Sequence, residues 1–260
     1  MNNFKLCFST LPCLDYNAMG LKELCDKFSI DGVEVRQNND GGYVCGDGLN
    51  IVDIGTGICF LGYDENVVMA AKKILDNIAN TDIKAIRIFI GNFAVMKTDL
   101  KQNLDYDGIV KAIKEISDYT PKEIWIETHN EFATGRMMKK LLDDVEKENV
   151  KVIWDIIHPI EDGEMPHQTW DFIGDKIAHV HLKDGKRSTD TLRHDYEYTA
   201  LGNGELPLFD VFDILKENEF KGYISLEWES PWRDELKKYA WDINTILLKF
   251  VDFVRKYNGV

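Results

Sequence analysis

Short runs of β-branched, aliphatic and aromatic residues alternate with longer amphipathic stretches from one end of the 260-residue chain to the other. This is the pattern of repeated β–α units. Eight strands are predicted, at Phe4–Ser9, Gly32–Arg36, Ile51–Ile54, Ala85–Ile90, Glu123–Glu127, Lys151–Asp155, Ile177–Leu182 and Tyr223–Glu227. Apolar residues recur near the helical period over Val67–Ile78, Tyr106–Tyr119, Phe132–Glu146 and Leu208–Glu217, and again in a closing stretch, Tyr239–Val254. Eight strands with intervening helices predict an α/β fold, a single (β/α)8 TIM barrel. No Pro/Gly/Ser-rich linker interrupts the pattern, so residues 1–260 read as one domain. The least helical connections, Gln37–Asn50 and Gly185–Pro207, follow strands and would frame the mouth of such a barrel. An open doubly wound sheet would show the same alternation. It usually carries a glycine-rich turn after its first strand, whereas here the chain reads STLPCLD and contains neither GxGxxG nor GxxxxGK[ST].

Composition narrows the setting. With 44% hydrophobic residues a full core is available, and 45 acidic against 31 basic residues leave a net charge of −14. That charge opposes phosphate backbones and anionic headgroups, which argues against nucleic-acid and membrane partners. The five cysteines (Cys7, Cys13, Cys25, Cys45 and Cys59) form an odd set without a CxxC pair. A reduced cytoplasm is the simplest setting for them. The opening MNNFKLCFST lacks a signal-peptide core, and no apolar run approaches the roughly 18 residues of a membrane span. The expectation is a soluble cytoplasmic protein.

Candidate chemistry gathers where predicted strands end, in IWIETHN, VIWDIIHP, HVHLKD and YISLEWE. Because strand side chains alternate with period two, Glu127 shares a face with Trp125, Asp155 with Ile153, His181 with His179 and Glu227 with Ser225. In a barrel these faces converge on the axis. Taken singly, each residue has an ordinary explanation: an exposed strand-end acid, a helix N-cap or a satisfied core histidine. Together they would place three carboxylates and an imidazole in a partly buried pocket, where a divalent cation is the simplest compensation. Oxygen-rich donors with one nitrogen suit Mn, Mg or Co, and Zn is allowed. Glu34 and Arg36 alternate with Val33 and Val35 and could face a substrate or form a buried salt-bridge layer. Lys183 continues the His179–His181 face and could reach a substrate oxygen or an acidic neighbour. His179 reads as packing, and His129, His167 and His194 carry no pattern beyond their loop placement.

These segments resemble the xylose-isomerase-like barrel superfamily, in its sugar phosphate isomerase/epimerase branch. The matching pieces are GVEVR, IETHN, the D-x-x-H of Asp155 to His158, the H-x-H-x-K-D of HVHLKD, LGNGELP and GYISLEWE. The resemblance implies Glu127, Asp155, His181 and Glu227 as metal ligands and His158 as a substrate contact. It also implies a sugar contact at Arg187, six residues after His181. Ketose 3-epimerases of the family carry a glutamate six residues after the first metal-binding glutamate. Here that position is Ala133, which leaves other isomerases and the inosose or dehydroshikimate dehydratases open.

The chemistry expected is isomerisation or epimerisation of a small sugar, sugar phosphate or keto-polyol, with one divalent ion and no organic cofactor. Glu127 and Glu227, reaching in from roughly opposite sides of the ring, would remove and return a proton through an enediolate. The nearest rival is a dehydratase using the same ligands. A three-zinc apurinic-site endonuclease is disfavoured by the charge and by only six histidines. A noncatalytic sugar-binding barrel is the alternative from another class. Barrels of this family are often oligomeric, so a homo-oligomer is an expectation, although no heptad or apolar seam marks an interface.

Overall fold

In the computed structural model, which describes residues 4–38, 41–93, 103–190 and 196–258, eight parallel strands close into a ring. They are β1 (Lys5–Ser9), β2 (Gly32–Arg36), β3 (Ile51–Phe60), β4 (Ala85–Ile90), β5 (Glu123–Glu127), β6 (Val150–Asp155), β7 (Ile177–Leu182) and β10 (Tyr223–Leu226). β8 (Asp184–Arg187) and β9 (Tyr196–Thr199) form a separate antiparallel hairpin between β7 and β10. The helices α1 (Ala18–Phe28), α2 (Glu65–Ile78), α3 (Tyr106–Tyr119), α4 (Gly135–Val145), α6 (Pro166–Ile173), α7 (Leu208–Glu217) and α9 (Ile243–Asn258) alternate with the strands. The short α5 (Ile157–Glu161) and α8 (Asp234–Lys237) sit in strand-to-helix connections.

Local chemistry sets the helix boundaries. Asp64 accepts from the Asn66 and Val67 amides at the start of α2, Asp105 from Gly108 at α3 and Thr134 from Met137 at α4. That last cap explains why α4 begins at Gly135 and not at Phe132, which lies in a preceding 3-10 turn. Met138, Leu141, Leu142 and Val145 then fall on one buried stripe facing the strands. α9 starts at Ile243, later than its periodicity predicts, because Tyr239 and Trp241 are taken up in an aromatic cluster with Trp228. β3 runs six residues beyond its predicted end, through a register shift between Gly55 and Cys59. The stretch expected as an irregular loop, Gly185–Pro207, holds the hairpin.

Alternation divides the core. Outward-facing residues such as Trp154 pack with the helices, while Cys7, Val52, Ala85, Trp125, Ile153 and Tyr223 form a separate apolar cluster. Because all eight strands are parallel, their C-terminal ends share one mouth. Along the inward faces between the apolar cluster and that mouth the side chains become ionic: Glu34, Asp53, Arg87, Glu127, Asp155, His179 and His181 are all buried.

Candidate active site

Four strand ends deliver the donor set. Glu127 closes β5, Asp155 closes β6, His181 is the penultimate residue of β7, and Glu227 follows β10 directly. One ligand atom from each lies within 4.8 Å of the other three, and all four residues are buried. His181 Nδ1 stands 3.2 Å from Glu227 Oε2, 3.8 Å from Glu127 Oε2 and 4.0 Å from Asp155 Oδ2. β5 and β10 are three strand intervals apart in the ring, so the two glutamates approach at a wide angle and not from opposite sides.

The fit to a cation follows from the donors crowded at this point. His181 Nδ1 faces all three carboxylates, and Asp155 Oδ2 and Glu227 Oε2 share the Lys183 ammonium as their cationic neighbour. Three carboxylates and one imidazole converging on one point match the donor preferences of a hard or borderline divalent ion. Behind His181, Glu34 Oε2 lies 2.5 Å from Nε2, so that nitrogen carries the proton and Nδ1 is the atom presented to the carboxylates.

Lys183 is the other cation in the site. Its ammonium lies 2.5 Å from Asp155 Oδ2 and 2.6 Å from Glu227 Oε2, and it also pairs with Glu229. Arg87, fully buried in the apolar run of β4, pairs with Glu127 and donates to the Thr56 carbonyl at 3.0 Å. These charges set the protonation states. Burial works against the carboxylate of Glu227, but Lys183 and His181 hold it well below the usual range. Burial also opposes charge on His181, yet Glu34, Glu227 and Glu127 raise it well above an ordinary histidine. Burial pushes Glu127 up, against the pull of Arg87. Asp53, buried beside Glu34, is pushed well up by burial and then by Glu34.

Above the tetrad opens a cavity of about 580 Å³ whose walls include Arg36, Arg87, Phe89, His129, Glu229 and Trp232. Glu127 and Glu227 form part of its lining. His158, on α5, is buried with Nε2 3.5 Å from Asp155 Oδ2 and Nδ1 2.9 Å from Glu161 Oε2. Burial opposes its charge, but Asp155 and Glu161 raise it to about 9.

Two further sequence expectations need correction. Glu34 is fully buried against His181, so it orients a ligand instead of touching substrate. Arg187 is exposed on β8, bonded at 3.1 Å to the Tyr196 hydroxyl, and does not line the cavity. The reason is a change of direction: after Lys183 the chain leaves the barrel for the hairpin, so spacing from His181 no longer counts along a barrel strand. Asp184 secures that turn, accepting from the Gly185, Gly202, Gly204 and Leu206 amides at 2.8, 2.8, 2.9 and 3.3 Å. A Cβ on Gly204 would lie 1.9 Å from Asp184 Oδ1, which explains the glycine in LGNGELP. His179 is 3.5 Å from Glu34 Oε2 and stacks on Trp125. His167 is exposed on α6, and His194 lies outside the described residues. Sequence reasoning missed Arg87, Asp53, Glu229 and His129. For the first two the signal was a lone charge inside an apolar run, in AIRIFI and IVDIG. His129 lies 4.1 Å from His158 between ring centroids.

An eight-stranded parallel barrel with a carboxylate–histidine tetrad at its mouth defines a class, and the comparisons agree with it. Residues 62–248 match the family described as xylose isomerase-like TIM barrel, and the chain belongs to that family. An inosose dehydratase of Bacillus cereus (strain AH820) is 28% identical over 123 residues, 42% of this chain and 41% of that protein. A 3-dehydroshikimate dehydratase of Bacillus anthracis is 28% identical over 156 residues, 55% of each. The matches thus span about half the length of these curated relatives. Among solved structures, an IOLI protein with a bound zinc atom superposes with TM-score 0.74 at 18% identity, over 97% of this chain and 99% of that one. A D-allulose 3-epimerase from Methylomonas sp. superposes with TM-score 0.72 at 15% identity, over 98% of each. These structural likenesses show the fold. Among the described residues no helix is long and apolar enough to cross a membrane.

Proposed function

We propose that the protein is a divalent-metal-dependent isomerase or epimerase of a small sugar, sugar phosphate or keto-polyol, acting by proton transfer next to a carbonyl. The observation that carries this is the convergence of Glu127, Asp155, His181 and Glu227, all buried and with one donor atom each within 4.8 Å of the others, at the floor of an open cavity. A divalent cation held by these four residues would polarise a substrate carbonyl and acidify the adjacent C–H. The zinc bound by the IOLI protein and the likeness to a D-allulose 3-epimerase support this reading.

The chain's own groups divide the remaining tasks. Glu227, kept anionic by Lys183 and His181, is the base for the C–H proton, and Glu127 reaches the same cavity from a different angle to return a proton. Arg87 fixes the orientation of Glu127, while Glu34 fixes that of His181. Phe89 and Trp232 add apolar surface to the cavity wall.

A second reading, dehydration, is favoured by Lys183 and by the names of the curated relatives. Its ammonium sits 2.6 Å from Glu227, so a base for the C–H and an acid for a departing hydroxyl stand side by side. Turnover in D2O by metal-loaded protein decides between them. Deuterium at the reacting carbon of a product with unchanged composition supports isomerisation, and loss of water supports dehydration. Glu127→Gln and Glu227→Gln, assayed at matched metal content, should each lower turnover by at least about 100-fold. Wild-type turnover by either would refute the two-carboxylate scheme.

A further inference from the structure

The cavity holds one cation that the proposed chemistry does not use. Arg36, at the mouth end of β2, is half-buried and lines the cavity, yet its guanidinium has no ion pair, hydrogen bond or ring contact among the described residues. It lies across β3 at Gly55, where an added Cβ would sit 3.2 Å from its Cδ and 3.4 Å from Nη1. The other cations of the cavity are engaged: Arg87 by Glu127, and Arg233 by Glu229 at 3.3 Å. Five carboxylates (Glu127, Glu227, Glu229, Asp234 and Glu235) line the same space. Among the described residues Arg36 is thus the cation of the cavity without an acidic partner, which leaves its guanidinium open to an anionic group of a ligand.

Position identifies which part of a ligand it would meet. β2 lies four strand intervals from β6, directly across the ring from Asp155. A substrate whose hydroxy-ketone end rests on the tetrad therefore points its far end at Arg36, with Phe93 and Trp232 supplying apolar walls between. Resting on the function proposed above, we infer that the substrate carries an anionic oxygen group, a carboxylate or a phosphate monoester, at the end away from the carbonyl, and that Arg36 pairs with it. This makes Arg36 a specificity residue at one end of the site and the tetrad the reactive centre at the other.

The test uses metal-loaded wild type, Arg36→Met and Arg36→Lys with matched probes: 3-dehydroshikimate against neutral inosose, and a ketohexose 6-phosphate against the free ketohexose. In wild type the charged member of one pair should have the higher kcat/KM, and which pair shows it distinguishes carboxylate from phosphate. Arg36→Met should collapse that charged-to-neutral ratio by roughly 10- to 100-fold, mainly through KM, and Arg36→Lys should restore part of it. A wild-type preference for both neutral probes, or a ratio unchanged in Arg36→Met, overturns the inference. If no probe turns over, tryptophan-fluorescence titration replaces kinetics. Tenfold weaker binding of a charged probe to Arg36→Met supports the inference, and equal binding, or none to wild type, overturns it. Arg36-dependent binding without deuterium exchange would instead sink the proposed reaction and leave the anion site standing. Matched thermal melts confirm that the variants are folded.

Discussion

Replacing Glu34 by leucine should weaken metal binding without touching any proposed ligand. Glu34 is fully buried, and its Oε2 lies 2.5 Å from His181 Nε2. Leucine leaves that N–H without an acceptor, a cost of about 1–3 kcal/mol, and frees the ring to turn Nδ1 away from the carboxylates. It also removes a negative charge next to the cation site, which acts in the same direction. Partners of this kind typically contribute 10- to 100-fold to metal affinity. Glu34→Leu should therefore bind Zn or Mn roughly 10- to 100-fold more weakly than wild type, as measured by competition with a chromophoric chelator. Glu34→Gln keeps an oxygen acceptor and should lose less than about tenfold. Nitrogen-15 shifts of His181 in protein supplied with metal give a readout independent of activity: Nε2 should be the protonated nitrogen in wild type, and that pattern should be partly lost in Glu34→Leu. Wild-type affinity together with an unchanged tautomer in Glu34→Leu would refute the argument.

Apparent metal affinity should rise with pH, because burial is outweighed by Glu34, Glu227 and Glu127 and His181 holds a proton through neutrality that the ion must displace. The expected slope between pH 6 and 8 is up to about tenfold per unit, flattening only above the raised pKa, and a flat profile would contradict it. Asp184→Ala strands four backbone N–H groups and should cost about 3 kcal/mol, seen as a melting temperature lower by roughly 10 °C. A shift under about 2 °C would remove Asp184 from its anchoring role. Arg187→Ala should change kcat/KM by less than about threefold, since its side chain bonds to Tyr196 on the hairpin. A hundredfold loss would return it to the substrate site.

The barrel was legible because burial on both faces gives parallel strands nearly continuous apolar runs, and GVEVR, AIRIFI and HVHLKD stand out against the helical periods around them. The tetrad was legible only in combination: each acid or histidine has an ordinary role alone, but four of them at the ends of consecutive barrel strands point to one site. What period-two reasoning misses is depth and partnership. Glu34 and Arg36 share an alternation, yet one sits beneath His181 and the other lines the mouth. Arg87 sits inside an apolar strand, and its reason, the carboxylate of Glu127 on the neighbouring strand, is 40 residues away in sequence. The misplacement of Arg187 arose because nothing local in HLKDGKR reveals that the chain leaves the barrel between Lys183 and Asp184.

The most direct test of the central claim is metal stoichiometry. Protein purified without chelator, and metal-free protein reloaded with Mn or Zn, should each hold close to one divalent ion per chain by elemental analysis after desalting. Asp155→Ala and His181→Ala should retain less than about a tenth of that at equal protein concentration while keeping a wild-type circular dichroism spectrum. One equivalent in wild type and loss in both variants is the result expected from four converging strand ends. Full retention in both variants, or no tight binding by wild type, would contradict it and leave Lys183 as the cation that balances Asp155 and Glu227.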